Sequence, residues 1–123
     1  MEMKAILIAD DESSIRLMVG SMLSKDYLVL EASDGQEAID IARAQRPDLI
    51  LMDIMMPNVD GYSACHAIKK DRITSAIPVV MVTALGQELN QKFARQTGAD
   101  GYVTKPFSLQ SLRDVISRFL NRE

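Results

Sequence analysis

A chain of 123 residues suits one domain with a real hydrophobic core, and leaves no room for a second ordinary one. Apolar residues make up 47% and charged residues 25%, the composition of an ordinary globular protein. A net charge of −3, no basic run longer than two residues and a single cysteine, Cys65, argue against general attraction to nucleic acid or anionic membranes and exclude an internal disulfide.

The opening "MEMKAILIADD" is too short in its apolar part for a signal peptide, and no stretch approaches the roughly 20 apolar residues of a membrane span, so the cytoplasm is the expected compartment. The first apolar run, "AILIA" (5–9), reads as a buried strand. Ile15, Met18, Met22 and Leu23 then follow helical spacing. A second run, "YLVLEA" (27–32), precedes "SDGQE", where Asp34 or Ser33 can cap a helix marked by Ala38, Ile41 and Ala42. Glu37 completes a capping-box pattern with Asp34. The third run, "DLILMD" (48–53), ends in Asp53; after Gly61, Tyr62, Cys65 and Ile68 mark a third helix. The fourth run is "IPVVMVT" (77–83).

A weaker helical stretch over about 86–97 carries Leu89, Phe93 and Ala94, with Gly98 as a natural residue just past its end. The last strand, "GYVTK" (101–105), leads to a clear helix with Ser108 as N-cap and Leu109, Leu112, Val115, Ile116, Phe119 and Leu120 on one face. Five short aliphatic runs alternating with helices predict an α/β fold: a parallel sheet covered on both faces, with the loops after the strands on one edge.

Polar residues collect just past the predicted strand ends: Asp10, Asp11 and Glu12 after the first, Asp53 at the third, Thr83 at the fourth and Lys105 at the fifth. Each has an ordinary alternative. One of Asp10 and Asp11 could cap the first helix, Asp53 could form a turn, Thr83 could be a plain strand residue and Lys105 a solvated charge. Together, on one edge, they point to a site. Carboxylates about 4 Å apart repel by roughly 4 kcal/mol per pair at an effective dielectric of 20 and call for protons or a cation. An all-oxygen set with no neighbouring histidine or cysteine suits Mg²⁺, with Mn²⁺ as the alternative, and such an ion leaves room for phosphoryl oxygens that a lysine and a threonine can meet.

The stretches "LIADDE", "LILMDIMMPNVDGY", "VVMVTA" and "GADGYVTKPF", in this order and at these separations, resemble the receiver domain of two-component response regulators over essentially the whole chain, 1–123. The resemblance implies a flavodoxin-like doubly wound five-stranded sheet of order 2-1-3-4-5. It implies that Asp53 is the phosphoacceptor, taking a phosphoryl group from a histidine kinase or a histidine phosphotransfer protein. It also implies that Asp10, Asp11, Asp53 and the backbone carbonyl of Met55 hold Mg²⁺, and that Lys105 pairs with the phosphoryl oxygens. Thr83 and the switch aromatic Tyr102 would move together, Ala84 leaves space beside the site, and the Lys105–Pro106 bond is expected to be cis.

The implied output face comprises the fourth helical stretch, the fifth strand and the last helix, addressed to a downstream protein or, with phosphorylation, to a second copy. No enzymatic turnover is implied beyond self-phosphorylation and self-dephosphorylation. Met55 and Leu85, both apolar, flank the site where attacking water would pass, so self-dephosphorylation is expected to be slow. One departure is Asp26, where the family usually has glycine before the second strand's aromatic, Tyr27.

His66 reads as an exposed bystander and Cys65 as a small core residue. Three other readings compete. An aspartyl phosphohydrolase commonly has an acid two residues after its nucleophile, where this chain has Met55. A flavin-binding protein needs a phosphate loop where this chain has acids. A receiver used only for docking has no need of the full set Asp10, Asp11, Asp53, Thr83 and Lys105. The chain reaches "FLNRE" with no DNA-binding segment, so direct contact with nucleic acid is not expected.

Overall fold

The computed structural model describes residues 3–84 and 96–120. In chain order its elements are β1 (Ala5–Ala9), α1 (Ser13–Leu23), β2 (Leu28–Ala32), α2 (Gly35–Gln45), β3 (Leu49–Asp53), α3 (Gly61–Lys70), β4 (Val79–Ala84), β5 (Gly101–Lys105) and α4 (Leu109–Leu120). The strands form one sheet of order β2-β1-β3-β4-β5, every neighbouring pair parallel. That is the predicted fold class and strand order. Most of the predicted fourth helical stretch, 86–97, lies outside the described residues, as does Leu85. Gln96 and Thr97 are helical, and Gly98 follows with φ of 86°, the left-handed conformation expected of a residue just past a helix end.

Why the apolar runs are continuous rather than alternating follows from the layers. Side chains of successive strand residues point to opposite faces. Leu7, Ala9, Ile50, Met52, Val79 and Met81 pack on one face against Ala38 and Ala42 of α2 and Ala64, Cys65 and Ile68 of α3. Ile6, Ile8, Leu49, Leu51, Val80, Val82 and Val103 pack on the other against Val19 and Leu23 of α1 and Leu112, Val115 and Ile116 of α4. All five residues of β3 are buried. On the edge strand β2, Leu28 is exposed and Ala32 buried.

The helix ends follow local chemistry. Asp34 accepts from the Glu37 N–H at 2.8 Å, and Glu37 in turn accepts from the Ser33 N–H at 2.6 Å. Asp60 caps α3 through the Ser63 N–H, and Ser108 caps α4 through the Ser111 N–H. α1 departs from expectation. Its N-cap is Glu12, which makes no side-chain cap, so neither Asp10 nor Asp11 is spent there. Its buried stripe is centred on Val19 and Leu23, leaving Met18 at the margin and exposed.

Candidate functional site

Strand register assembles the site. Ala9 pairs with Met52, so one residue further along Asp10 comes level with Asp53; Asp53 pairs with Val82, and Lys105 pairs with Ala84. Alternation along each strand puts Asp10, Asp53 and Lys105 on the same face of the sheet, the face of Ile8, Leu51 and Val103. Thr83 falls on the opposite face, with Met81 and Tyr102.

Asp10 and Asp53 are buried at 1% and 7% exposure. The ammonium of Lys105 donates to Asp10 Oδ2 at 2.8 Å and lies 3.5 Å from Asp53 Oδ1. The other Asp10 oxygen accepts from the Glu12 N–H at 2.9 Å, and the Asp10 carbonyl accepts from Arg16 at 2.6 Å. With its own N–H donating to the Ala32 carbonyl at 3.0 Å, Asp10 is held at four atoms. Burial pushes Asp53 up to about 6, reinforced by the negative charges of Asp10 and Asp11 and moderated by Lys105. Burial works to lower the Lys105 pKa, but its hydrogen bond to Asp10 and the charges of Asp53 and Asp10 outweigh this and raise it, so the lysine stays charged.

Asp10, Asp11 and Glu12 place carboxylate oxygens within 4.8 Å of one another, with Asp11 and Glu12 exposed. One lysine cannot balance these acids together with Asp53. An unbalanced set of hard oxygen donors open to solvent on one side fits a divalent ion of the Mg²⁺ kind. Met55 is 62% exposed, lying in the loop immediately past Asp53.

Thr83 is buried at the end of β4, and Tyr102 packs partly buried on the α2/α3 face beside Met81. Ala84 lines a cleft with Lys105, Pro106, Phe107, Ile15 and Met18, and the Lys105–Pro106 bond is cis. His66 is exposed on α3. Cys65 is fully buried, its thiol donating to the Thr97 carbonyl at 3.6 Å and pushed up to about 11 by burial.

Sequence reasoning overlooked the residues that steady this site. Arg16, one turn into α1, bridges the Asp10 carbonyl and Glu31. Gly61 donates its N–H to the Ile54 carbonyl at 2.8 Å, and a Cβ there would stand 2.1 Å from the Asp53 carbonyl oxygen, so only glycine lets α3 begin against the end of β3. The signal available in the sequence is the glycine eight residues past Asp53.

Comparison with known proteins places this geometry. The family described as "Response regulator receiver domain" matches residues 6–117. A probable transcriptional regulator, ycf27, of Guillardia theta is 44% identical over 95% of this chain and 45% of its own length. The chain spans about half the length of the curated relatives it matches. Among solved structures, the chemotaxis protein CheY4 of Vibrio cholerae aligns with a TM-score of 0.90 and 32% identity, covering 97% of this chain and 100% of that one. The receiver domain of a sensor histidine kinase of Pseudomonas aeruginosa PAO1, described with a magnesium ion coordinated in its active-site cleft, aligns with a TM-score of 0.89 and 30% identity over 98% of this chain and 100% of its own.

Proposed function

This chain belongs to the response regulator receiver domain family, and from that premise we propose that residues 1–123 form one receiver whose Asp53 accepts a phosphoryl group from a histidine kinase or a histidine phosphotransfer protein. The observation that carries the reading is the lysine shared by two buried acids: Lys105 stands 2.8 Å from Asp10 and 3.5 Å from Asp53.

In the transfer, an Asp53 carboxylate oxygen attacks phosphorus. An oxygen–phosphorus bond forms, and the phosphorus–nitrogen bond to the donor imidazole breaks with its electron pair leaving on nitrogen. Attack requires the ionised carboxylate, which predominates near neutral pH for a group at about 6. Lys105 supplies a fixed positive charge beside the incoming oxygens, and Thr83 a hydroxyl. Positioning and charge neutralisation supply most of what phosphoryl transfer needs. Asp10, Asp11, Asp53 and the Met55 carbonyl are the residues that would hold Mg²⁺ or Mn²⁺; when bound, the ion offsets the acids so that a phosphoryl group can approach them. The magnesium described in the Pseudomonas receiver supports this assignment.

The phosphoryl group adds charge and three acceptor oxygens at Asp53. Thr83 moving to meet them draws on the face it shares with Tyr102, and the output passes through the 86–97 segment, β5 and α4 to a downstream protein or a second phosphorylated copy. The domain signals rather than turning over a substrate; release of phosphate from Asp53 is its only other chemistry. No helix among the described residues is long and apolar enough to cross a membrane, in keeping with a cytoplasmic setting. With a net charge of −3, this chain itself is assigned no contact with nucleic acid.

Intact mass after incubation with a small phosphodonor and Mg²⁺ tests the reading. Wild type gains one phosphoryl adduct and Asp53→Asn gains none; an unmodified wild type overturns it.

A further inference from the structure

The loop between Asp53 and α3 is held at its near end by Gly61 and the Ile54 carbonyl. Its far end is held by something else. Asn58 Nδ2 donates to Asp34 Oδ2 at 2.8 Å, across 24 residues of sequence. Next to it the Gly35 N–H donates to the Val59 carbonyl at 3.0 Å. A Cβ on Gly35 would lie 2.1 Å from that carbonyl oxygen, so the loop rests directly on the first turn of α2. Asn58 has φ of 66°, a conformation in which asparagine is among the few tolerated side chains, and its amide is spent on Asp34.

We propose that the Asp34–Asn58 pair is a positioning device for the metal site: it fixes the loop so that the Met55 carbonyl points where the cation is held. This rests on the metal assignment made above. Between the two held ends lie Met55, Met56 and Pro57. Met56 is buried, Pro57 fixes its own φ, and proline restricts the residue before it. With both ends clamped, few rotations of the Met55 peptide remain; with Asn58 released, only the Gly35–Val59 bond holds the far end and that peptide gains freedom to turn. Asp34 serves two masters at once. One oxygen caps α2 through Glu37 and the other holds Asn58, which keeps the loop in register with a helix rather than with solvent.

The two duties separate experimentally. Asp34→Asn leaves an oxygen for the Glu37 N–H but replaces the charged acceptor of Asn58 by an NH₂ group, so that Asn58 must flip its amide and keep a weaker, neutral bond. Mg²⁺ affinity, measured by calorimetry with the metal alone, is expected to weaken by about tenfold, the low end of what the outer partners of metal ligands contribute. Asn58→Gly keeps the backbone conformation, removes the amide and weakens binding similarly. Asp34→Asn combined with Asn58→Asp reverses donor and acceptor and restores binding to near the wild-type value. Thermal melts without metal report on the cap and are expected to move little in Asp34→Asn. Wild-type affinity in both single variants, or a double variant no tighter than Asp34→Asn alone, overturns the positioning role while leaving the phosphoacceptor reading intact. A wild type that binds no Mg²⁺ overturns the metal assignment itself, and this inference with it.

Discussion

Lys105 makes its shortest contact with Asp10, not with Asp53: 2.8 Å against 3.5 Å. In this arrangement the lysine occupies the ground between the acids that a divalent ion would otherwise share. Lys105→Ala is therefore expected to do two opposite things. Mg²⁺ affinity rises about three- to tenfold, because a competing charge near 4 Å is gone. Phosphorylation by a small donor slows by about a hundredfold, the range for loss of one electrostatic partner at a charged transition state. Calorimetry and the rate of adduct formation by mass read the two separately.

The acid pair fixes a pH dependence whose sign is definite. Asp53 titrates near 6 in the fold against 3.8 for the unperturbed group, so between these values the metal-free folded state holds more protons than the unfolded one. The stability this confers is full below about pH 4 and is lost as pH rises through about 6. Urea melts without metal should show that decline, and Asp53→Asn should abolish it, raising stability at pH 7.5 by about 1–2 kcal/mol. Asp34, lowered by its bonds from Glu37 and Asn58, works the other way: its contribution is present above the usual carboxylate range and fails as pH falls through its lowered value.

Met55, exposed beside Asp53, presents an apolar side chain to approaching water. Met55→Asn is expected to shorten the lifetime of the phosphorylated protein several-fold by admitting and orienting that water, with a change in Leu85 adding to it. Decay of the adduct in intact mass measures this. An unchanged lifetime removes the idea that these side chains set the clock.

Gly61 admits no side chain, since a Cβ would stand 2.1 Å from one backbone atom and 2.8 Å from another. Gly61→Ala must push the start of α3 away from the end of β3, at a cost of about 3 kcal/mol or more. Chemical denaturation should show the loss, and any folded fraction should phosphorylate poorly because the Asp53 peptide has moved.

Cys65 is buried, bonded to Thr97 and pushed up to about 11. Its thiol should be inert to disulfide reagents at pH 8 in the native protein and react only as fast as the protein opens. Labelling rates with increasing urea should therefore track the unfolding equilibrium.

The fold was legible because a parallel sheet buried on both faces writes itself as unbroken aliphatic runs, as in Leu49 to Met52. The cluster of Asp10, Asp53 and Lys105 was legible for a related reason: strands of like direction bring their ends to one edge, so residues far apart in sequence could be counted there. What escaped depends on contacts that no periodicity encodes. Arg16 escaped because its reach to the Asp10 carbonyl is a tertiary contact with no pattern in the sequence. Asn58 escaped because its partner Asp34 stands 24 residues away, at the N-cap of α2. Met18 was counted into the α1 stripe because methionine at a boundary position reads the same as methionine in the core, and only the packing of Val19 settles the rotation of the helix.

The sheet's two faces hold different halves of the device. Within each strand, alternation sets Asp10, Asp53 and Lys105 on one face and Thr83 with Tyr102 on the other, and only the strand ends bring them to one edge. Strand length is thus part of the chemistry. Deleting one residue within β3 would turn Asp53 to the wrong side of the sheet and present an aliphatic chain to Lys105, however stable the product. Insertions at the opposite edge, such as the turn before Leu28 or that before Val79, leave this parity untouched. A lineage of such domains is free to vary in its lower loops while the strand count between edge and acid stays fixed.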